Sequence, residues 1–191
     1  MATAGESIEN PVTGERLSFV STAADTGGEL LAIDVQMRAG GRIAAAHVHP
    51  QQEERFAVQS GSIRLRIDGR ERAASAGEQV VVAAGVPHAW WNDAPVDATV
   101  RVEFRPALDT ETFFETFFGL ARDGRTNRKG MPNLLQSLVL VADLGDSCPV
   151  LPNPPHQLQR LVARALAPVG RLVGYRAVYP RHSPGHPSLS G

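Results

Sequence analysis

The sequence predicts a mainly β domain, an antiparallel barrel or sandwich, followed by a C-terminal α-helical extension. Two observations carry this reading. From about residue 16 to residue 105, short stretches alternate apolar and polar residues between turn residues, the pattern of strands with one buried face. After Pro106 the apolar residues recur at helical spacing instead. The chain divides accordingly into a β domain over 1–108, a helical extension over 109–175 packed on the barrel or on a dimer partner, and a disordered tail over 176–191.

Residues 1–28 begin as a polar lead-in, with a first strand at 16–22. Glu29–Arg38 alternates more clearly, placing Leu31, Ile33, Val35 and Met37 on one face. Ser62–Asp68 sets Ile63, Leu65 and Ile67 against Arg64 and Arg66, and Asp68-Gly69 is a hairpin turn signal. Val80-Val81-Val82 reads as a buried strand, Gly85 and Pro87 as a tight turn, and His88 as the start of the next strand. Ala98–Arg105 closes the series, with Val100, Val102 and Phe104 opposed by Arg101, Glu103 and Arg105.

Thr112–Ala121 brings Phe113, Phe114, Phe117, Phe118 and Ala121 to helical spacing, with Asp109 or Thr110 as N-cap and Gly124 as the stop. Leu134–Leu144 is a second helix. Four prolines between Pro149 and Pro155 make an extended linker. A third helix starts near His156 and carries Leu158, Leu161, Val162, Ala165, Leu166, Val169, Leu172 and Val173 on one stripe, with a kink at Pro168. At roughly 1.5 kcal/mol or more for each buried side chain, that stripe is worth on the order of 10 kcal/mol, so it must be covered. The candidates for the cover are the Phe113–Phe118 helix, a second subunit or lipid; the expectation is protein, with the helix packing on the other C-terminal helices and the arginine face open to solvent or to the acidic barrel.

Composition narrows the function. An apolar fraction of 42% supports a sizeable core, and a net charge of −1 gives no argument for nucleic acid. No helix-turn-helix pattern or basic DNA-facing stretch precedes the barrel. Charge is nevertheless uneven: residues 156–191 carry five arginines and no acid, against fourteen basic and twenty acidic residues before them. A basic amphipathic helix can lie on an anionic membrane surface, but this one lacks the usual aromatic anchors. Docking within a homodimer is the preferred expectation. A single cysteine, Cys148, excludes an intramolecular disulfide and fits a reducing cytoplasm. The N-terminal stretch has neither the basic region nor the apolar run of a signal peptide, and no stretch has transmembrane length.

The chemistry concentrates between Gly40 and Gly61. His47 and His49 are two residues apart, so on a strand both imidazoles point to one face. After Pro50-Gln51-Gln52 a second run begins, in which Glu54 shares its face with Phe56 and Val58. A carboxylate on an apolar face is costly unless a cation or hydrogen bonds meet it, and the neighbouring histidines make a metal ion the natural candidate. Glu53 is a rival ligand; the shared face with Phe56 favours Glu54.

These residues and those from Gly77 to Asn92 resemble the two motifs of the cupin family. The first is matched by Gly41, His47, His49, Glu54 and Gly61 at every spacing. The second is matched by Gly77, Gly85, His88 and Asn92, with Ala83 where the family usually has proline. The resemblance implies a small jelly-roll barrel with His47, His49, Glu54 and His88 as ligands of one divalent transition metal ion. Three imidazoles and a carboxylate suit Fe, Mn, Ni, Zn or Cu without choosing among them. The alternative is a barrel that kept these residues and binds an organic ligand without metal.

The inward positions Phe56, Val58, Ile63, Leu65, Trp90, Val100, Val102 and Phe104 define an apolar pocket for a small-molecule substrate. Trp90 can equally be ordinary core, and Asn92 is a turn hydrogen bonder. With no arginine clearly on that face, a small apolar, aromatic or enolisable substrate fits better than a phosphorylated sugar. Cupins span several chemistries, so the fold does not fix the reaction. The reading is a metal-dependent cupin enzyme of oxygenase or isomerase type. The other class is a non-catalytic binding or sensing cupin.

Overall fold

The alternating stretches form ten strands in a computed structural model that describes residues 2–182, with the backbone alone described at residues 42–45. In chain order these are β1 (Ser7–Asn10), β2 (Glu15–Ser21), β3 (Leu31–Met37), β4 (Arg42–His47) and β5 (Glu53–Ser60). They continue with β6 (Ser62–Ile67), β7 (Arg70–Ser75), β8 (Gln79–Val82), β9 (His88–Trp91) and β10 (Ala98–Arg105). Pairing is antiparallel in a six-stranded sheet, β1-β2-β3-β10-β5-β8, and a four-stranded sheet, β4-β9-β6-β7. The inner faces meet in one core that holds Leu31, Ile33, Phe56, Leu65, Trp90 and Val102. This is the jelly-roll architecture expected from the sequence. β1 lay hidden in the polar lead-in, because Ser7 and Glu9 face outward and Ile8 is its only apolar side chain against the core.

Turn chemistry fixes the register. Asp68 and Gly69 have φ of 48° and 77°, the backbone of a two-residue turn whose twist suits β6 and β7. Gly61, between β5 and β6, has φ of 71°, and an added Cβ would stand 2.5 Å from the Asp97 carbonyl oxygen. Gly61→Ala is therefore expected to cost about 2 kcal/mol or more, from the left-handed backbone and the clash together. Urea unfolding would measure it, and an unchanged midpoint would contradict the role given to this glycine.

Three helices follow: α1 (Thr110–Arg122), α2 (Leu134–Leu144) and α3 (His156–Leu172). Asn133 caps α2, its side chain accepting from the Gln136 amide at 3.0 Å. α1 lies between two cores. Phe118 joins the barrel core and Phe113 the helical one, while Phe114 and Phe117 pack against both.

The structure corrects the expectation for α3. It does pack on α2, but through its small residues Ala163, Ala167 and Gly170, which are buried. A Cβ on Gly170 would come within 2.7 Å of Val139 Cγ2, so the backbones approach as closely as small residues allow. Arg160 reaches Asp146 at 2.7 Å, and Arg171 pairs with Asp143 of α2, so these arginines bind the helical layer and not the barrel. The large apolar side chains, Leu158 through Leu172, turn the other way and are exposed.

The tail also departs from expectation over residues 176–182. Thr116 donates to the Ala177 carbonyl at 2.8 Å, the Tyr179 hydroxyl donates to Gln136 Oε1 at 2.7 Å, and His182 meets Asp123 at 2.9 Å. Gly119 leaves the space that the His182 ring fills. Aromatic and hydrogen-bonded anchors thus hold the first part of the tail, residues 176–182; residues 183–191 lie outside the described residues. Among the described residues, no helix is long and apolar enough to cross a membrane.

Candidate metal centre

His47, His49, Glu54 and His88 converge between the two sheets. β4 pairs with β9 so that His47 stands opposite His88. The extended backbone continues through Val48, which is bridged to Val150 of the proline-rich linker. His49 follows just outside the strand, and its carbonyl accepts from the Gly85 amide at 2.8 Å. Glu54 comes from the other sheet, on β5, opposite Val82 and Phe104. One ligand-type atom from each of the four lies within 4.8 Å of the others. Glu53, the rival, faces outward with Arg55 at 2.5 Å.

His49, Glu54 and His88 are buried, and His47 is only partly so. Glu54 Oε2 lies 2.7 Å from His88 Nε2 and 3.5 Å from His49 Nε2. Burial pushes the Glu54 carboxyl up. The three histidines outweigh it and hold the group below its ordinary value. For His88, burial pushes the imidazole down, but the hydrogen bond and charge of Glu54 and the Val86 carbonyl raise it overall. Its Nδ1 lies 3.0 Å from the Val86 carbonyl oxygen and its Nε2 2.7 Å from the Glu54 carboxylate, two acceptors that favour the protonated imidazole. His49 shifts down, chiefly by burial and against the pull of Glu54. The cluster therefore already concentrates positive charge on a buried carboxylate, the place a metal cation would take.

Gln52 completes the arrangement, and the sequence reading passed over it. Its Nε2 donates to the Pro106 carbonyl (2.8 Å), the Ala107 carbonyl (3.1 Å) and Thr110 Oγ1 (2.8 Å). Three acceptors fix the amide's orientation, so Oε1 faces His49 Nδ1 at 3.2 Å and accepts its proton. Nε2 of His49 is thereby left bare toward Glu54. Parity could have revealed this residue, because Gln52 is two positions before Glu54.

The eight inward residues named from the sequence are all buried, between 0 and 3% exposed, and belong to the barrel core. They are not equally placed. The Phe104 ring is 5.3 Å from that of His49, and Phe56 is 6.3 Å from His88 and 5.3 Å from Trp90. Val102 pairs with Phe56, whereas Val100 pairs with Val58, four residues along β5 from Glu54. That is about 13 Å of strand, so Val58 and Val100 are core behind the site. Ile67, at the register position of His88, lies nearer than either and was not named among the eight. Trp90 packs inward, Trp91 carries the Arg66 guanidinium on the outer face, and Asn92 braces its turn through the Val96 carbonyl at 2.8 Å.

The family model described as the cupin domain matches residues 34–102, a span that includes all four converging side chains. Residues 34–102 are a cupin domain. No curated protein matches the chain. Among solved structures, KdgF from Halomonas sp. is 19% identical with a TM-score of 0.47, over 53% of this chain and 86% of its own. A predicted oxalate decarboxylase from Thermotoga maritima is 15% identical with a TM-score of 0.49, over 56% and 99% of the respective chains. A sugar phosphate isomerase of the cupin superfamily from Silicibacter pomeroyi is 23% identical with a TM-score of 0.41, over 47% and 59%. The cupin span ends before β10 does, and no part of the helical extension falls within it.

Proposed function

We propose that this cupin is a metal-dependent enzyme acting on a small apolar, aromatic or enolisable molecule, by oxygenase-type or isomerase-type chemistry. The convergence of three imidazoles and one carboxylate in an otherwise apolar interior carries the reading. The donors fit a divalent ion of the Fe, Mn, Ni, Zn or Cu group, held by His47, His49, Glu54 and His88. Such an ion would supply a Lewis acid and a template for substrate. The chain's own part is to orient and to exclude water. Gln52 and the Val86 carbonyl set the two imidazoles, and Phe56 and Phe104 keep their side of the site dry.

Substrate would approach past His47, the least buried of the four. The dense packing around the other three favours the second reading, a cupin that binds its ligand without turnover. Reconstitution with Fe(II) without oxygen, then oxygen uptake across phenolic and diketone compounds, separates the two. Turnover of any of them supports the enzyme. Saturable binding with neither oxygen uptake nor isomerised product supports the binder.

Gln52→Leu is expected to weaken metal affinity roughly 10- to 100-fold, the usual effect of losing such a support. Competition against a chelator reads it directly. Lower stability with unchanged affinity would mean that Gln52 only fills space.

A further inference from the structure

We infer that the outward face of α3 is an interface with a second copy of this chain, α3 against α3. Leu158, Leu161, Val162, Leu166, Val169 and Leu172 are between 42 and 87% exposed on a helix whose opposite face is already packed on α2. Six large apolar side chains on one face exceed the scattered exposure normal for a surface.

The spacing identifies the occupant. Leu158, Val162, Ala165, Val169 and Leu172 repeat at steps of four and three, with Val at one heptad position and Leu or Ala at the other. That seam runs about 21 Å, and Leu161 and Leu166 broaden it. A twin helix with the same 4-3 spacing is its natural complement, and a second copy supplies it.

Charge supports the same occupant. The seam contains no charged residue, and two of the three arginines of α3 are turned away from it, to Asp143 of α2 and to Asp146 just beyond α2, which neutralise them. Two copies would therefore meet without like charges opposed. A lipid surface would be held by free cations and aromatic anchors flanking the face. Here Arg160 and Arg171 are paired, and α3 has no aromatic residue.

Sedimentation of the full chain at micromolar concentration should show a dimer. The Val162→Glu/Val169→Glu double variant should dissociate at least about a hundredfold more readily, with an unchanged circular dichroism spectrum because both sites face solvent in one copy. Ala165 is the midpoint of the seam, so it faces its own twin in a parallel or an antiparallel pair. Oxidised Ala165→Cys should therefore form a covalent dimer, without competition from the buried Cys148. A wild-type monomer overturns the inference, as does a dimer that withstands the double substitution or leaves Ala165→Cys uncrosslinked. Sedimentation with phosphatidylserine vesicles in place of self-association assigns the face to lipid and overturns it too.

Discussion

Glu54→Gln is expected to bind a divalent transition metal at least about a hundredfold more weakly than the wild type, beyond the usual loss of an outer support. Glutamine keeps the shape but removes the only negative charge among the four converging side chains. The wild type should gain about 4 kcal/mol at a thousand times the dissociation constant, which for a chain of this size is roughly 10 °C in Tm. At the same metal concentration the variant should gain no more than about 1.4 kcal/mol, so its Tm should rise by only a few degrees. Acid should release the ion, because Glu54 and the imidazoles must give up their protons to bind it. Metal content close to one per chain in Glu54→Gln would exclude this carboxylate as a ligand. Glu53→Gln is the matched control and should keep its metal.

Glu15→Gln is expected to stabilise the protein by about 3 kcal/mol at pH 8 and by almost nothing at pH 4.5. Glu15 is buried at the start of β2. Thr13 donates to one carboxylate oxygen at 3.0 Å, and the other has no partner. Burial raises its pKa to about 7, against the weaker pull of Thr13. The sign follows from the protons bound. Between the ordinary value of 4.5 and about 7 the folded chain keeps a proton that the unfolded chain has lost, so stability falls as pH rises. Glutamine cannot lose a proton, and the fall should vanish. Glu111 is raised in the same direction by partial burial and persists in both proteins, so the difference between them isolates Glu15. Parallel urea-stability curves from pH 4.5 to 8.5 would refute the assignment.

Strand parity in the sequence was enough to place Glu54 inward with Phe56 and Val58, and His88 with Trp90. It could not rank those positions by distance from the histidines, because depth depends on which strand pairs with which. Phe104 opposite Glu54 and Val100 opposite Val58 are equivalent in pattern and differ only in register. Gln52 shares the inward parity of Glu54, but the partners that fix its amide, Pro106, Ala107 and Thr110, lie more than fifty residues away. The α3 error was one of direction. The apolar stripe was real, but burial went to Ala163, Ala167 and Gly170, since small residues let two backbones approach while large ones hold them apart. Periodicity identifies an apolar face and says nothing of what meets it.

The four phenylalanines of α1 bear on how the chain comes apart. Phe114 and Phe117 touch both hydrophobic cores, and Thr110 at the head of the same helix accepts from Gln52 beside the histidines. Neither core can lose α1 without uncovering apolar surface on the other. The barrel and the helical layer are therefore thermodynamically linked, and opening the helices would also loosen the support of His49. Denaturation should then be a single transition, with amides of α2 and of β5 exchanging at the same limiting free energy.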